Sequence, residues 1–176
     1  MPASNALLIL DVQVGLFDGP EPLHDKESVL DNINHLIAKA RLAGAPIFAV
    51  RHTGPQGSPI AYGSPWWQLV PALKVEDGVD HIFEKSAPSA FVGTDFEQRL
   101  RALDIGGLVI AGLKTQYCVD TNCRAAAALG FRVVLAADAH SCSDTAQLLA
   151  SSIVAHHNQT LGGPFAKVVA SGEVVF

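Results

Sequence analysis

The chain has 176 residues, 49% of them hydrophobic and 16% charged, with a formal net charge of −5. That length suits one domain with one substantial core, and such a composition argues against disorder. An acidic balance with no basic stripe argues against a nucleic-acid partner, and no apolar run is long enough to cross a membrane.

The opening, MPASNALLILD, has neither the basic start nor the cleavage site of a signal peptide. Three cysteines are an odd number and do not form a disulfide framework, so a reducing, cytoplasmic setting is expected. Seven histidines are scattered without metal-ligand spacing, and no metal or other cofactor is expected.

The first element is ALLILD (6–11), a short apolar run without in/out alternation. ESVLDNINHLIAKARLAG follows, where Val29, Leu30, Ile33, Leu36, Ile37 and Ala40 form one helical stripe ended by Gly44 and Pro46. PIFAVR (46–51) is a second apolar run. Segment 52–80 is rich in glycine and proline and reads as a long loop, of the kind that covers a functional site. HIFEK (81–85) is a weaker strand. In TDFEQRLRAL, Thr94 and Glu97 have capping-box spacing, and Phe96, Leu100 and Leu103 are expected to face inward. GLVIAGL (107–113) is a strand, followed by a helix over 116–129 with Thr115 as N-cap and Gly130 as stop. RVVLAAD (132–138), a helix over 144–157 and the weak strand KVVA (167–170) complete the chain.

Apolar runs covered on both faces indicate a parallel sheet. Alternation with helices gives an α/β fold of three layers, α/β/α, with a mainly parallel sheet of roughly six strands in one domain, 1–176.

In such sheets ligands bind beyond the carboxyl ends of the strands. That rule gathers Asp11, Arg51, His52, Lys85, Cys118 and Asp138. A thiol early in a helix gains from free N–H groups and the dipole, and a lysine ammonium would stabilise its thiolate further. An aspartate in reach could take the thiol proton and return it to a leaving amine. Cys118 reads equally as a buried filler, Asp11 as a turn cap and Lys85 as a solvated side chain. Asp138 reads as a loop anchor rather than a chemical group, and Cys123 and Cys142 as packing. Gln13, Phe17, Tyr62, Trp66, Trp67, Phe91 and Tyr117 are candidates to line a pocket for a small-molecule substrate, with Gln13 equally a turn residue and Phe91 equally core. Arg51 and His52 are candidates for a substrate carboxylate, or for a structural ion pair.

LLILDVQVGLF (7–17), FEKSAPSAFVGTDFEQRL (83–100), LVIAGLKTQYCVDTNCRAAAALGF (108–131) and VVLAADAHS (133–141) resemble, in order, the isochorismatase-like cysteine hydrolases. The resemblance implies Asp11 as general base, Lys85 as electrostatic partner and Cys118 as nucleophile. It also implies a cis peptide between Leu113 and Lys114 that turns the Lys114 amide inward, beside that of Cys118, as an oxyanion hole. No cofactor is implied, and relatives are commonly homodimers or homotetramers. The expected reaction is C–N hydrolysis of a small amide, ureido or carbamoyl compound through a thioester. Nicotinamidases of this superfamily bind a metal through Asp-x-His and a further histidine, and RHTGPQGSPI lacks that set. The alternatives are vinyl ether hydrolysis of the isochorismatase type, which does not require the cysteine, and a non-catalytic binding or oligomeric scaffold.

Overall fold

The computed structural model describes residues 4–176. Six strands, β1 (Ser4–Leu10), β2 (Ile47–His52), β3 (His81–Lys85), β4 (Ile105–Leu113), β5 (Arg132–Ser141) and β6 (Lys167–Val169), form one sheet in the order β3-β2-β1-β4-β5-β6. Every pairing is parallel.

The continuous apolar runs follow from burial on both faces. Ala6, Leu8 and Leu10 of β1 point into one apolar layer, and Leu7 and Ile9 into the other. The first layer is closed by α3 (Phe96–Ala102), α4 (Asp120–Ala128) and the end of α5 (Ala150–Leu161) through Phe96, Leu100, Cys123, Ala126 and Leu161. The second is closed by α2 (Lys26–Ala43) through the predicted stripe Val29, Ile33, Leu36, Ile37 and Ala40, with Phe17 from the short α1 (Val14–Phe17). Helices on both faces make the expected three layers.

Three local expectations are corrected. The last helix starts at Ala150, not Asp144, because Asp144 Oδ1 accepts from the Ala150 amide at 2.7 Å and Thr145 Oγ1 from Leu148 N at 3.0 Å, holding 144–149 as a turn. The capping box does not close. Thr94 Oγ1 accepts from Phe96 N at 3.2 Å, but Glu97 turns away to Arg101 at 3.3 Å, and Leu103, beyond the helix end, is exposed. Thr115 is not an N-cap: residues Thr115–Val119 form a π-turn ahead of α4, with Val119 N donating to Lys114 O.

Candidate active site

In a doubly wound sheet the crevice opens where strand order reverses. Here that point lies between β1 and β4. Asp11 follows β1 with φ 57°, a left-handed conformation that aspartate tolerates better than most residues. On β4, Gly112 has φ +120°, and a Cβ there would stand 2.2 Å from Leu10 O. Only glycine lets the two strand ends approach so closely, which seats the turn carrying Cys118 beside Asp11. The Leu113–Lys114 peptide that leads into this turn is cis.

Lys85 ends β3, two strands from β1, and its long side chain reaches inward. Its Nζ lies 2.9 Å from Asp11 Oδ2, 3.1 Å from His52 Nδ1 and 3.3 Å from Cys118 Sγ. The side chains of Asp11 and Lys85 are almost wholly withdrawn from water, at 1% and 0% exposure. An ammonium has three N–H bonds and no acceptor, so each bond points at one of these partners. His52 Nδ1 therefore accepts, and the ring carries its proton on Nε2. Burial, then the neighbouring Lys85 charge, pulls the His52 pKa below its usual 6.5 and keeps this ring neutral.

Burial pushes the Asp11 carboxyl above its usual 3.8, against the opposing pull of Lys85. Burial, and then the Asp11 charge, pushes the Cys118 thiol up to about 12. The thiol therefore gives up its proton less readily than a free cysteine does. A fully buried carboxylate oxygen, Asp11 Oδ1, has no hydrogen-bond partner among the described residues. Its carboxylate lies within 4.8 Å of the sulfur. A base with an unused lone pair beside a protonated thiol is equipped for proton transfer.

The ring of Asp11, His52 and Cys118 could in geometry offer three ligand atoms to a metal ion. Lys85 already brings a positive charge to all three, so an ion there would have to displace it.

Two polar braces hold the turn. Asn122, fully buried, donates through Nδ2 to Cys118 O at 2.7 Å and to Pro88 O at 3.0 Å, while its Oδ1 accepts from Ala90 N at 2.8 Å. It ties the Cys118 turn to the loop after β3. Behind the turn, Thr115 Oγ1 and Asn158 Oδ1 each lie 2.9 Å from opposite nitrogens of His140. Asn158 Nδ2 donates to Ala137 O, so its Oδ1 accepts from His140 Nε2, and Thr115 donates to Nδ1. Neither brace is marked by any motif; Asn122 is identifiable only as a polar residue four positions after Cys118, on the same helix face.

A cavity of about 220 Å³ opens on these groups, lined by Asp11, Leu16, His52, Ile60, Pro88, Lys114, Tyr117 and Cys118. Of the predicted aromatic wall, Tyr117 lines it. Trp66 borders an adjoining cavity, while Tyr62, largely exposed, tilts against the ring of Trp67 at 4.9 Å. The others are corrected. Trp67 is buried, with Nε1 on Thr53 Oγ1 and the Arg51 guanidinium 3.8 Å from its ring, which also takes Arg51 out of the cavity. Phe91 packs in the core against Phe96 at 5.0 Å, and Phe17 is buried in the other layer. Gln13 is fully buried and spends its amide on the backbone of His52 and Trp67, fixing the loop to β2. Asp138 anchors Ser171 through its amide and hydroxyl.

The fold and the site define a doubly wound α/β protein with a thiol, a carboxylate and an ammonium converging at the carboxyl edge of its parallel sheet. The chain belongs to the isochorismatase family, whose domain matches residues 5–160. It is 36% identical over 140 residues to a streptothricin hydrolase of Streptomyces noursei, covering 79% of this chain but only 50% of that protein. An isochorismatase-family protein of Escherichia coli O157:H7 is 32% identical over 157 residues, covering 82% of this chain and 83% of its own. Among solved structures, a Burkholderia xenovorans LB400 protein assigned to the isochorismatases superposes with a TM-score of 0.88 at 34% identity, covering 96% and 84% of the two chains.

Proposed function

We propose that the protein is a cysteine hydrolase that cleaves the C–N bond of a small amide, ureido or carbamoyl compound. The observation that carries this reading is the buried Lys85 ammonium shared between Asp11 at 2.9 Å and Cys118 at 3.3 Å. Asp11 takes the thiol proton as sulfur attacks the carbonyl carbon, and Lys85 faces the negative charge as it forms. The backbone amides of Lys114 and Cys118 receive the carbonyl oxygen in the tetrahedral intermediate. Collapse expels the amine, protonated by Asp11, and leaves a thioester on Cys118. Asp11 then deprotonates a water that attacks the thioester, and the proton returns to the departing sulfur.

The likeness to a streptothricin hydrolase supports a hydrolytic role over that of a binding scaffold. The three neutral, buried cysteines suit a reducing cytoplasm. No helix among the described residues is long and apolar enough to cross a membrane. The enzyme acts on a free small molecule without a nucleic-acid or membrane partner, beneath the 52–80 loop, as a homodimer or homotetramer, and needs no metal.

The test is a screen of small amides and ureido acids for ammonia release, with Cys118→Ser as control. Turnover by the parent chain and a loss of at least about a thousandfold in the variant are expected, with the fold intact by circular dichroism. Equal turnover in both would refute the nucleophile, and cleavage of a vinyl ether by both would establish the ether-hydrolase alternative. Activity that is lost to a chelator and restored by zinc would overturn the metal-free mechanism.

A further inference from the structure

We infer that the substrate carries an apolar arm, aryl or branched alkyl, received by a second chamber beside the Cys118 cavity. This rests on the cysteine-hydrolase reading and specifies the compound it acts on. The second chamber, of about 240 Å³, is walled by Gly15, Leu16, Pro20, Pro59, Ile60 and Trp66 together with the charged pair Glu21 and Lys114. Leu16, Ile60 and Lys114 line both spaces, so the two chambers meet at these three side chains. A molecule attacked at its carbonyl by Cys118 extends past them into the outer space.

The chemistry of the walls selects what fits. Lys114 and Glu21 carry the chamber's charges, and they are spent on each other at 2.5 Å, with Lys114 holding the Glu21 carboxyl below its usual range. A charged arm would find no unpaired counter-charge. The remaining surface is aliphatic, proline and indole, and Trp66 keeps 41% of its surface exposed. An apolar arm would be withdrawn from water there at little polar cost. Gly15 sets the chamber's shape, since a Cβ at that position would come within 2.9 Å of both Ile60 Cγ2 and Trp66 Cβ. The helix backbone and the 52–80 loop therefore approach as closely as a residue without a side chain allows.

The experiment compares alkylation of Cys118 by iodoacetamide, N-benzyl iodoacetamide and an N-(2-aminoethyl) analogue, followed by peptide mass spectrometry. Each rate is divided by that of the same reagent with a free small thiol, which removes intrinsic reactivity. The benzyl reagent should gain about tenfold over iodoacetamide, the advantage expected for part of a phenyl ring leaving water. The cationic arm should gain nothing, and Trp66→Ala should remove most of the benzyl advantage. A benzyl ratio of one, a cationic preference or a full advantage kept in Trp66→Ala overturns the apolar chamber while leaving the Cys118 reading standing. Failure of every reagent to label Cys118, with the cysteine free in denatured protein, overturns both.

Discussion

Replacing Lys85 with Met removes one charge from the point where three groups converge, in a side chain of similar length. The ammonium lies 3.3 Å from the sulfur, and a full charge pair at that separation is worth about 5 kcal/mol at an effective dielectric of about 20. Asp11 would answer by holding its proton, which lifts its own repulsion of a thiolate and returns part of that energy. With about 1.4 kcal/mol per tenfold, the net loss is about two to three orders of magnitude in thiolate reactivity. The assay needs no substrate: the rate of iodoacetamide alkylation of Cys118 is followed at fixed pH by mass spectrometry, with circular dichroism confirming the fold. Because the resting thiol sits at about 12, the parent rate should rise with pH through neutrality, and the Lys85→Met curve should lie below it throughout. A folded variant alkylated as fast as the parent would refute the claim that Lys85 stabilises the sulfur's charge.

Other outcomes follow from the same geometry. Burial raises the Asp11 pKa, and a protonated Asp11 cannot accept the thiol proton, so kcat/KM should fall as pH drops along a limb lying above 3.8; a limb at or below that value contradicts the burial argument. Gly112→Ala would press a Cβ on Leu10 backbone atoms at 2.2 and 2.6 Å, costing about 3 kcal/mol, and an unchanged urea midpoint would show the strand ends to be less crowded. His140 is buried with its pKa below 6.5, so the unfolded chain takes up a proton that the native ring resists. Stability is therefore present above pH 6.5 and lost below it. The urea midpoint of His140→Gln should decline less between pH 7 and pH 5 than that of the parent, and parallel declines would remove His140 as a cause.

The sheet was legible in the sequence because its strands are buried on both faces, which leaves short unbroken apolar runs such as LLIL and VVLAA alternating with helical stripes. Asp11, Lys85 and Cys118 were legible as strand-end residues alongside Arg51, His52 and Asp138, and the family resemblance then singled the three out. The turn bearing Cys118 was not: π and α turns draw on the same residues, and the difference lies in one carbonyl, Lys114 O, accepting from Val119 rather than Cys118. The aromatic wall failed for a related reason. The direction in which Phe17 or Trp67 points depends on local turns that composition does not encode, and Gln13 looks alike whether it faces a ligand or a backbone. His52 was visible at its strand end, but its service to Lys85 depends on the β2–β3 register that sets the two residues side by side.

The three groups that meet at the site are drawn from positions far apart in the chain, with Asp11 and Lys85 separated by 74 residues and Lys85 and Cys118 by 33. Before the central strands have docked, the polypeptide carries an ordinary cysteine with neither base nor cation beside it. On the proposed reading, chemical competence is a property of the finished sheet, and a nascent or misfolded copy lacks it. The alkylation kinetics of one sulfur would serve, for the same reason, as a reporter of whether those strands have docked.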